Sequence, residues 1–331
     1  MNGKTQDVAA PRGRQVERSR ASELGTWIAM PVGIVTVIVV GSILSDRFLS
    51  VGNFVNVLNS MSIVGIIVVG MTFVLISGGM ADLSVPATLA TGGIIVLALQ
   101  PNLGTVGAML VGVTAAGLAG LVNGLLIGYA RANPIIVTLG VGTIVLGIAQ
   151  ATVGGVIVYG QDPSTGDFVK STVFGLPMMV VIFLVIAAIG HILLSRTPWG
   201  RSTYAIGSNY RATEASAVSI RRIKASAFVL TALLAGLAGC LLGLTLQSAR
   251  PAIGAGYEFD AITAVVVGGV SLLGGSGSIP RALGGLLFVQ LLTNVLVLQG
   301  VPTPVQGLAK GILIAGAVAI DIYLRKKGGR S

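Results

Sequence analysis

The sequence predicts an all-α, polytopic membrane protein with about ten transmembrane helices, and three observations support this fold class. Hydrophobic residues make up 53% of the 331 residues and charged residues only 10%, with a mean hydropathy of +0.92. Soluble domains carry about 25% charged residues. The stretches 27–44 and 177–194 contain no charged residue, and each is long enough to cross a hydrocarbon core of roughly 30 Å as a helix. Because lipid offers no hydrogen-bond partners, such spans are expected to be helical.

The predicted helices follow the apolar segments in order, and 48 glycines suit close helix packing in a membrane. A basic tail at 1–26 precedes a single transmembrane domain at 27–323, and a second basic tail covers 324–331. The first apolar run has no small-residue cleavage pattern behind it, which indicates an uncleaved helix. The eighth helix is short and is predicted to be tilted or broken, and 46–59 is predicted to lie at the interface. The helices are placed near 27–45, 60–77, 83–100, 105–128, 134–153, 177–195, 226–247, 261–274, 282–299 and 305–323.

The distribution of Lys and Arg predicts the orientation, because these residues concentrate in cytoplasmic loops. With a cytoplasmic N-terminus, the 21 Lys and Arg residues fall on cytoplasmic segments except for Arg47, Lys170, Arg250 and Lys310. An odd number of spans would leave one basic tail outside. The sequence therefore predicts an even number of spans with both termini in the cytoplasm.

Two loops are long. The loop at 154–176 is predicted to lie outside, and the loop at 196–225 is predicted to lie in the cytoplasm. The other connections are short. Function is therefore expected in these two loops and in polar residues at membrane depth.

Several function classes are excluded by composition. The chain has one histidine, His191, and one cysteine, Cys240, so clusters of metal ligands are not expected. No lysine completes a phosphate-binding Walker A loop, so the chain is not expected to bind ATP by such a loop. The glycine-rich run at 268–278 follows a membrane helix and is interpreted as a tight turn. The net charge is +10, but the Lys and Arg residues are spread along the chain and do not form one basic patch, which argues against nucleic acid as a partner. No cofactor is predicted.

Acidic residues near the membrane are costly and are candidate functional sites. Asp82 lies between the second and third predicted helices, and Glu258 and Asp260 precede the eighth. Asp82 can line a pathway for a solute or cap the third helix. Glu258 and Asp260 can cap and pack the eighth helix, form a gate, or serve a proton-coupled carrier.

The cytoplasmic loop contains a predicted short helix at 205–220, whose start Ser208 or Asn209 can cap. Ala212, Ala215 and Ser216 share one face at i, i+3 and i+4 spacing. A smooth face of small residues suits docking into a groove of a partner. The alternative is a helix that rests on the membrane surface, where bulkier apolar residues are typical.

Four runs of residues resemble motifs of the permease subunits of ribose-type ABC importers, a family that also serves xylose, arabinose, galactose, inositol and the AI-2 signal. The resemblance covers roughly residues 50–325. Its motifs are the runs GGMADLSVP at 78–86, IIVTLG at 135–140, AIGSNYRATEASAV at 205–218 and GAGYEFDAITAVVVGGVSLLGGSG at 254–277. The last two are long and specific.

The resemblance implies a set of partners and roles. Two permease chains, identical or different, form a pore in a bacterial inner membrane, in contact with its lipids. Two ABC ATPase subunits grip the short cytoplasmic helix, and a periplasmic or lipid-anchored binding protein delivers the solute. On this basis Gly207, Asn209, Ala212, Ala215 and Ser216 are candidates for coupling to the ATPase. Asp82, Thr138, Glu258 and Asp260 are candidates for the translocation pathway or gate.

The expected function is therefore ATP-driven import of a sugar, a sugar alcohol or a similar small polar solute by a non-catalytic pore subunit. The chain departs from the family pattern at Met80-Ala81, which replace one residue, at Pro86 and at Ala217. The alternatives are a related permease for branched-chain amino acids or nucleosides, an ion-coupled secondary transporter, and a membrane-embedded enzyme.

Overall fold

The computed structural model describes residues 30–216 and 218–327, and helices dominate this part of the chain. The predicted tail at 1–26 lies outside the described residues. Four two-residue strands form two antiparallel pairs: β1 (Val158–Tyr159) pairs with β4 (Ser248–Ala249), and β2 (Thr172–Val173) pairs with β3 (Leu176–Pro177). The helices are α1 (Met30–Leu44), α2 (Val51–Ile76), α3 (Val85–Gly128), α4 (Pro134–Val153), α5 (Pro163–Lys170), α6 (Met178–Arg196), α7 (Pro198–Ser208), α8 (Tyr210–Glu214), α9 (Ile220–Leu246), α10 (Tyr257–Val267), α11 (Ile279–Leu298) and α12 (Thr303–Lys327).

Among the described residues, six helices are long and apolar enough to cross a membrane, namely α2, α3, α4, α6, α9 and α11. The 44-residue α3 contains Pro101 and bends at Gly104, which has φ 67° and ψ 169°. Proline removes a helical hydrogen bond and glycine adopts positive φ readily, so α3 consists of two helices in series. The bend lies between the predicted helices at 83–100 and 105–128. The total of about ten crossings stays a prediction.

Local capping explains where several helices begin. Asn133 accepts hydrogen bonds from the backbone N–H groups of Ile135 and Ile136, and Pro134 occupies the first helical position. The helix predicted at 134–153 therefore has the bounds that the structure gives to α4. Ser50 caps α2 in the same way by accepting from the N–H of Asn53. α2 begins at Val51, nine residues before the helix predicted at 60–77, so most of the segment predicted at 46–59 is helical. Its interfacial location stays a prediction.

Three other boundaries differ from the prediction. The predicted helix at 261–274 runs instead from Tyr257 to Val267, because Gly268 ends it and Gly269 has a φ of 79°. The single helix predicted at 205–220 is divided into α7 and α8 by Asn209, which is extended. The tail predicted at 324–331 begins as helix, since α12 continues through Lys327, and 328–331 lie outside the described residues.

The core of the bundle is built on close contact between α3 and α9. A Cβ on Gly92 would overlap the carbonyl of Gly236, and a Cβ on Gly239 would overlap the carbonyl of Leu89. The Sγ of Cys240 donates to the carbonyl oxygen of Gly92 at 3.3 Å. Small residues thus bring two backbones together where packing, rather than exclusion of water, holds membrane helices.

Two helices begin inside the bundle instead of at its surface. After α2 ends, residues 77–84 turn back, and Ser84 lies against Gly142, which is about 12 Å along α4 from Pro134. The 3₁₀ helix Pro251–Gly254 packs Gly254 on the backbone of Pro86, in the first turn of α3. The buried start of α3 therefore lies beside the segment that leads into α10. With 11 residues, α10 spans only about 16 Å, roughly half of a hydrocarbon core.

Candidate functional site

The two short helices α7 and α8 are held firmly against the ends of the long helices. The ring of Trp199 stacks on Phe73 of α2 with centroids 4.7 Å apart, and its Nε1 donates to Ser226 Oγ of α9 at 2.8 Å. Thr197 caps α7 by accepting from the N–H of Gly200. α7 is therefore fixed to both α2 and α9.

Gly207, one of the predicted coupling residues, lies at a contact between three segments. A Cβ on Gly207 would overlap the carbonyl oxygen of Ile76 and the backbone nitrogen of Gly275. A Cβ on Gly274 would lie 2.8 Å from Gly78 Cα and 3.0 Å from Gly207 Cα. We call the set Gly78, Gly207, Gly274 and Gly275 the glycine junction. It joins the end of α7 to the α2–α3 loop and to the turn between α10 and α11.

Hydrogen bonds reinforce the glycine junction. The N–H of Gly275 donates to the carbonyl of Ile76 at 2.9 Å, and Ser208 Oγ donates to the carbonyl of Gly275 at 3.2 Å. The hydroxyl of Tyr204 donates to the carbonyl of Gly277 at 2.7 Å. Burial raises the pKa of Tyr204, which favours the protonated form that makes this bond. The glycine-rich run predicted as a turn is therefore a turn, and its carbonyl groups accept hydrogen bonds from side chains of α7.

The other predicted coupling residues lie on or next to α8. Asn209 accepts from the N–H of Ala212 at 3.0 Å and so caps α8. The side chains of Ala212, Ala215 and Ser216 are exposed, in contrast to Gly207. The predicted small-residue face is therefore exposed. Gly207 is not part of that face and instead packs α7 against the neighbouring backbone.

Two contacts link α8 to neighbouring segments. Arg131, in the α3–α4 loop, forms an exposed ion pair with Glu214 at 3.0 Å. The Nζ of the half-buried Lys224, in α9, lies 5.6 Å from the centre of the Tyr210 ring. Single contacts of these two kinds are weak, so they orient α8 more than they stabilise the fold.

Asp82 and Thr138, both predicted to line a pathway, meet at the start of α3. Asp82 is fully buried, and its Oδ1 accepts from the backbone N–H of Ser84 at 2.9 Å and from Ser84 Oγ at 2.6 Å. The Oγ1 of Thr138 accepts from the N–H of Leu83 at 3.1 Å, and Asn123 donates to Ser84 Oγ at 2.8 Å. The helix cap is Ser84, so Asp82 shapes the turn before the cap.

A cavity of about 760 Å³ lies between α2, α9, α10, α11 and α12, and residues of α5, α6 and the β2–β3 pair also line it. Asp260, in the first turn of α10, lines this cavity and forms an ion pair with Lys310 of α12, with Nζ and Oδ1 2.6 Å apart. Glu258 is near it in sequence but is not among the residues that line the cavity. Asp82 and Thr138 also do not line it. The predicted pathway residues are therefore not brought together: Asp82 and Thr138 meet at the start of α3, Asp260 lines the cavity, and Glu258 belongs to neither group.

Lys310 was missed as a functional candidate by reasoning from the sequence. It was noted only as one of four basic residues off the cytoplasmic segments. The available signal was a lone lysine inside the apolar segment at 305–323, because a charge at membrane depth is costly unless it is paired.

Comparison with known proteins gives consistent matches over most of the chain. The family described as "Branched-chain amino acid transport system / permease component" matches residues 53–318. The ribose import permease protein RbsC of Bacillus subtilis is 38% identical over 303 residues, which cover 89% of this chain and 92% of that protein. The D-allose transport system permease protein AlsC of Escherichia coli is 32% identical, covering 91% and 92%. The L-arabinose ABC transporter permease protein AraH of Azospirillum brasilense is 34% identical, covering 85% and 83%. No solved structure matches the chain.

Proposed function

The chain belongs to the family of branched-chain amino acid transport system permease components, and on that premise we propose that it is the membrane-spanning subunit of an ATP-driven importer for a sugar or sugar alcohol. The relatives that carry this proposal are named for ribose, allose and arabinose, and they match nearly the full length of the chain. The subunit is not itself the catalyst. ATP hydrolysis belongs to two ABC ATPase subunits on the cytoplasmic side.

The observation that supports coupling to an ATPase is the exposed face of Ala212, Ala215 and Ser216. A groove on the ATPase accommodates such a face because no long side chain has to be ordered or desolvated. Asn209 fixes the start of α8, and Gly207 seats α7 in the glycine junction. Movement of α8 is thereby passed through α7 to the two segments that contact Gly207, namely the α2–α3 loop and the turn after α10.

These two segments lead to the proposed pathway. The α2–α3 loop carries Asp82, which with Thr138 sets the start of α3. The turn after α10 is continuous with the helix that carries Glu258 and Asp260. We assign the cavity beside α10 to the outer part of the pathway, with Asp260 on its wall and Glu258 and Asp82 supporting the helix starts. Alternating access then follows from displacement of α3 and α10.

The remaining partners and the location follow from the same proposal. A second permease chain completes the pore, and a periplasmic or lipid-anchored binding protein delivers the solute. We place the chain in a bacterial inner membrane, as the permease of an importer, and the distribution of Lys and Arg supports cytoplasmic termini.

The double substitution A212D/A215D tests the coupling. It places two negative, hydrated side chains on the face that docks, so we expect uptake of labelled D-ribose, D-allose, D-fructose or L-arabinose to be abolished in cells that carry the complete importer. Immunoblots of the membrane fraction should show unchanged permease. The matched control A212S/A215S keeps the face small and should retain uptake.

Three outcomes would contradict the proposal. Normal uptake by A212D/A215D would exclude α8 as the contact with the ATPase. Uptake of L-leucine in place of any sugar would assign the chain to the amino-acid branch of the family, and uptake by vesicles without any ATPase would indicate an ion-coupled carrier.

A further inference from the structure

We propose that the cavity between α2, α9, α10, α11 and α12 is a binding site within the permease for one uncharged, polyhydroxylated solute, and that the Asp260–Lys310 pair recognises it. This inference rests on the proposed function and deepens it. Selectivity would then reside partly in this chain as well as in the protein that delivers the solute.

The size and lining of the cavity suit a sugar. Its volume of about 760 Å³ falls within the range of small-molecule sites, roughly 300–1,000 Å³. Apolar side chains such as Ile63, Leu242 and Phe259 line it and suit the C–H surfaces of a sugar ring. Donors and acceptors for hydroxyl groups also point toward it from several helices. They include Asn59, Tyr257, Asp260, Gln290, Gln306 and Lys310.

The ion pair is accessible from the cavity. The side chains of Asp260 and Lys310 are 17% and 20% exposed, although they are in contact at 2.6 Å. The Oδ1 of Asp260 is itself buried, so the exposed part of the side chain belongs to its other atoms. The ammonium group has three donors and the carboxylate has several acceptor positions, so both keep capacity for solute hydroxyls while they remain paired.

The charge of the cavity favours a neutral ligand. Among the described residues that line it, the charged ones are Asp260 and Lys310, and their charges cancel. An ionic solute would have to break the pair or remain unpaired at low dielectric. A zwitterionic amino acid can oppose the pair charge for charge, and vicinal hydroxyls can bridge it, so the L-leucine probe decides between these two ligands. The cancelled charge favours solutes without net charge, and among them we choose polyhydroxyl compounds because the relatives are named for sugars.

A further polar side chain at the cavity has an atom without a partner. The Oδ1 of Asn59 is buried and accepts no hydrogen bond from any described residue. An unsatisfied buried acceptor is costly, and rotation of the amide toward the cavity would let a bound hydroxyl satisfy it. Asn59 lines the same cavity on α2, so two separate walls offer groups to one ligand.

The test measures binding to the full-length permease in nanodiscs by saturation-transfer NMR, without ATPase or binding protein. The probes are D-ribose, D-allose and L-arabinose as neutral sugars, D-gluconate and D-glucosamine as charged relatives, and L-leucine as a zwitterion. We expect the neutral sugars to bind and the charged probes to bind at least about tenfold more weakly. D260N and K310Q should each weaken sugar binding by about tenfold or more, since each removes charge-assisted hydrogen bonds.

Two variants separate recognition from folding. N59L removes an unsatisfied acceptor and should leave the thermal midpoint unchanged while weakening sugar binding. The control N294L also replaces a polar side chain between helices by leucine, but outside the cavity. It removes the reciprocal hydrogen bonds of Asn53 and Asn294 at 2.9 and 2.8 Å. It should bind sugar as the natural chain does.

The charge exchange D260K/K310D distinguishes recognition from a simple clamp between α10 and α12. If the pair is only a clamp, exchange restores opposite charges and restores full sugar binding, which would overturn the inference. Tighter binding of L-leucine than of any sugar, absence of sugar binding, or unchanged binding in both D260N and N59L would also overturn it. Sugar uptake by the complete importer without sugar binding by the permease would leave the proposed function standing and remove this inference alone.

Discussion

Gly207 illustrates how one missing side chain connects distant parts of the molecule. Its Cα faces the carbonyl of Ile76 and the backbone nitrogen of Gly275, so the end of α7 touches the backbone of two other segments directly. Close-packed interiors transmit displacement because they have little free volume. Contact between backbones, without flexible side chains in between, suits a joint that has to pass on small movements.

We expect G207A to impair transport more than membrane insertion. The added methyl group overlaps two backbone atoms, and overpacking of this kind costs about 1–3 kcal/mol. The thermal midpoint of the purified permease should fall, and sugar uptake should fall with it. The matched control G140A adds the same methyl group to α4 where nothing lies within 4 Å. An unchanged midpoint for G207A would show that the glycine junction is looser than the contacts indicate.

Asp82 permits a test of whether its charge or its shape matters. Its Oδ1 accepts two hydrogen bonds from Ser84, and an asparagine oxygen can accept both. We therefore expect D82N to keep at least half of the sugar uptake. D82A leaves a buried N–H and a buried hydroxyl without that acceptor, which costs about 1–3 kcal/mol, and should lower both stability and uptake. If D82N abolishes uptake at normal abundance, the carboxylate charge acts directly in the pathway.

At the scale of the element, α8 depends on its cap. It has only five residues, too few to be stable by its own hydrogen bonds. Asn209 satisfies the N–H of Ala212 and ends the preceding helix by its extended backbone. The presentation of the small-residue face therefore rests on one side chain.

Substituting Asn209 tests this dependence. N209A should destabilise α8 by about 0.5–2 kcal/mol, because the N–H of Ala212 loses its acceptor. Hydrogen–deuterium exchange at 210–216 should accelerate, and sugar uptake should decrease. N209S supplies another side-chain oxygen at the cap and should restore both. Equal exchange rates in N209A and the natural chain would mean that the contacts of Glu214 and Tyr210 fix α8 without the cap.

The sequence predicted elements best where the stop and start signals are local. Asn133 followed by Pro134 gives the start of α4, and the bend at Gly104 lies between two predicted helices. The division at Asn209 does not follow from the sequence, because an asparagine that can cap a helix gives no local sign that another helix ends directly before it. The early start of α2 was missed because its first turns are polar on one side. In that segment the helix starts at the cap that Ser50 provides, and not where the continuous apolar run begins.

At the scale of the whole molecule, the features that matter most depend on tertiary contacts. Asp260 and Lys310 are 50 residues apart in the chain, and nothing in either segment indicates that they pair. The glycine junction likewise joins positions near 78, 207 and 275, whose approach is not encoded by local patterns. The motifs at 78–86, 205–218 and 254–277 pointed to the right segments. They did not reveal that all three segments meet.

The orientation of the whole molecule predicts which surfaces a reagent can reach. Ser216 is exposed beside α8, which we place in the cytoplasm, and Phe174 is fully exposed in the predicted outer loop. In vesicles that carry the permease without its ATPase, a membrane-impermeant maleimide should label S216C only when they are inside-out and F174C only when they are right-side-out. The natural chain is the control, because its one cysteine, Cys240, is buried and should not react from either side. Labelling of both variants from the same side would contradict the orientation and, with it, the docking of an ATPase on α8. The reverse pattern would place both basic tails outside, against the bias that Lys and Arg impose on membrane proteins.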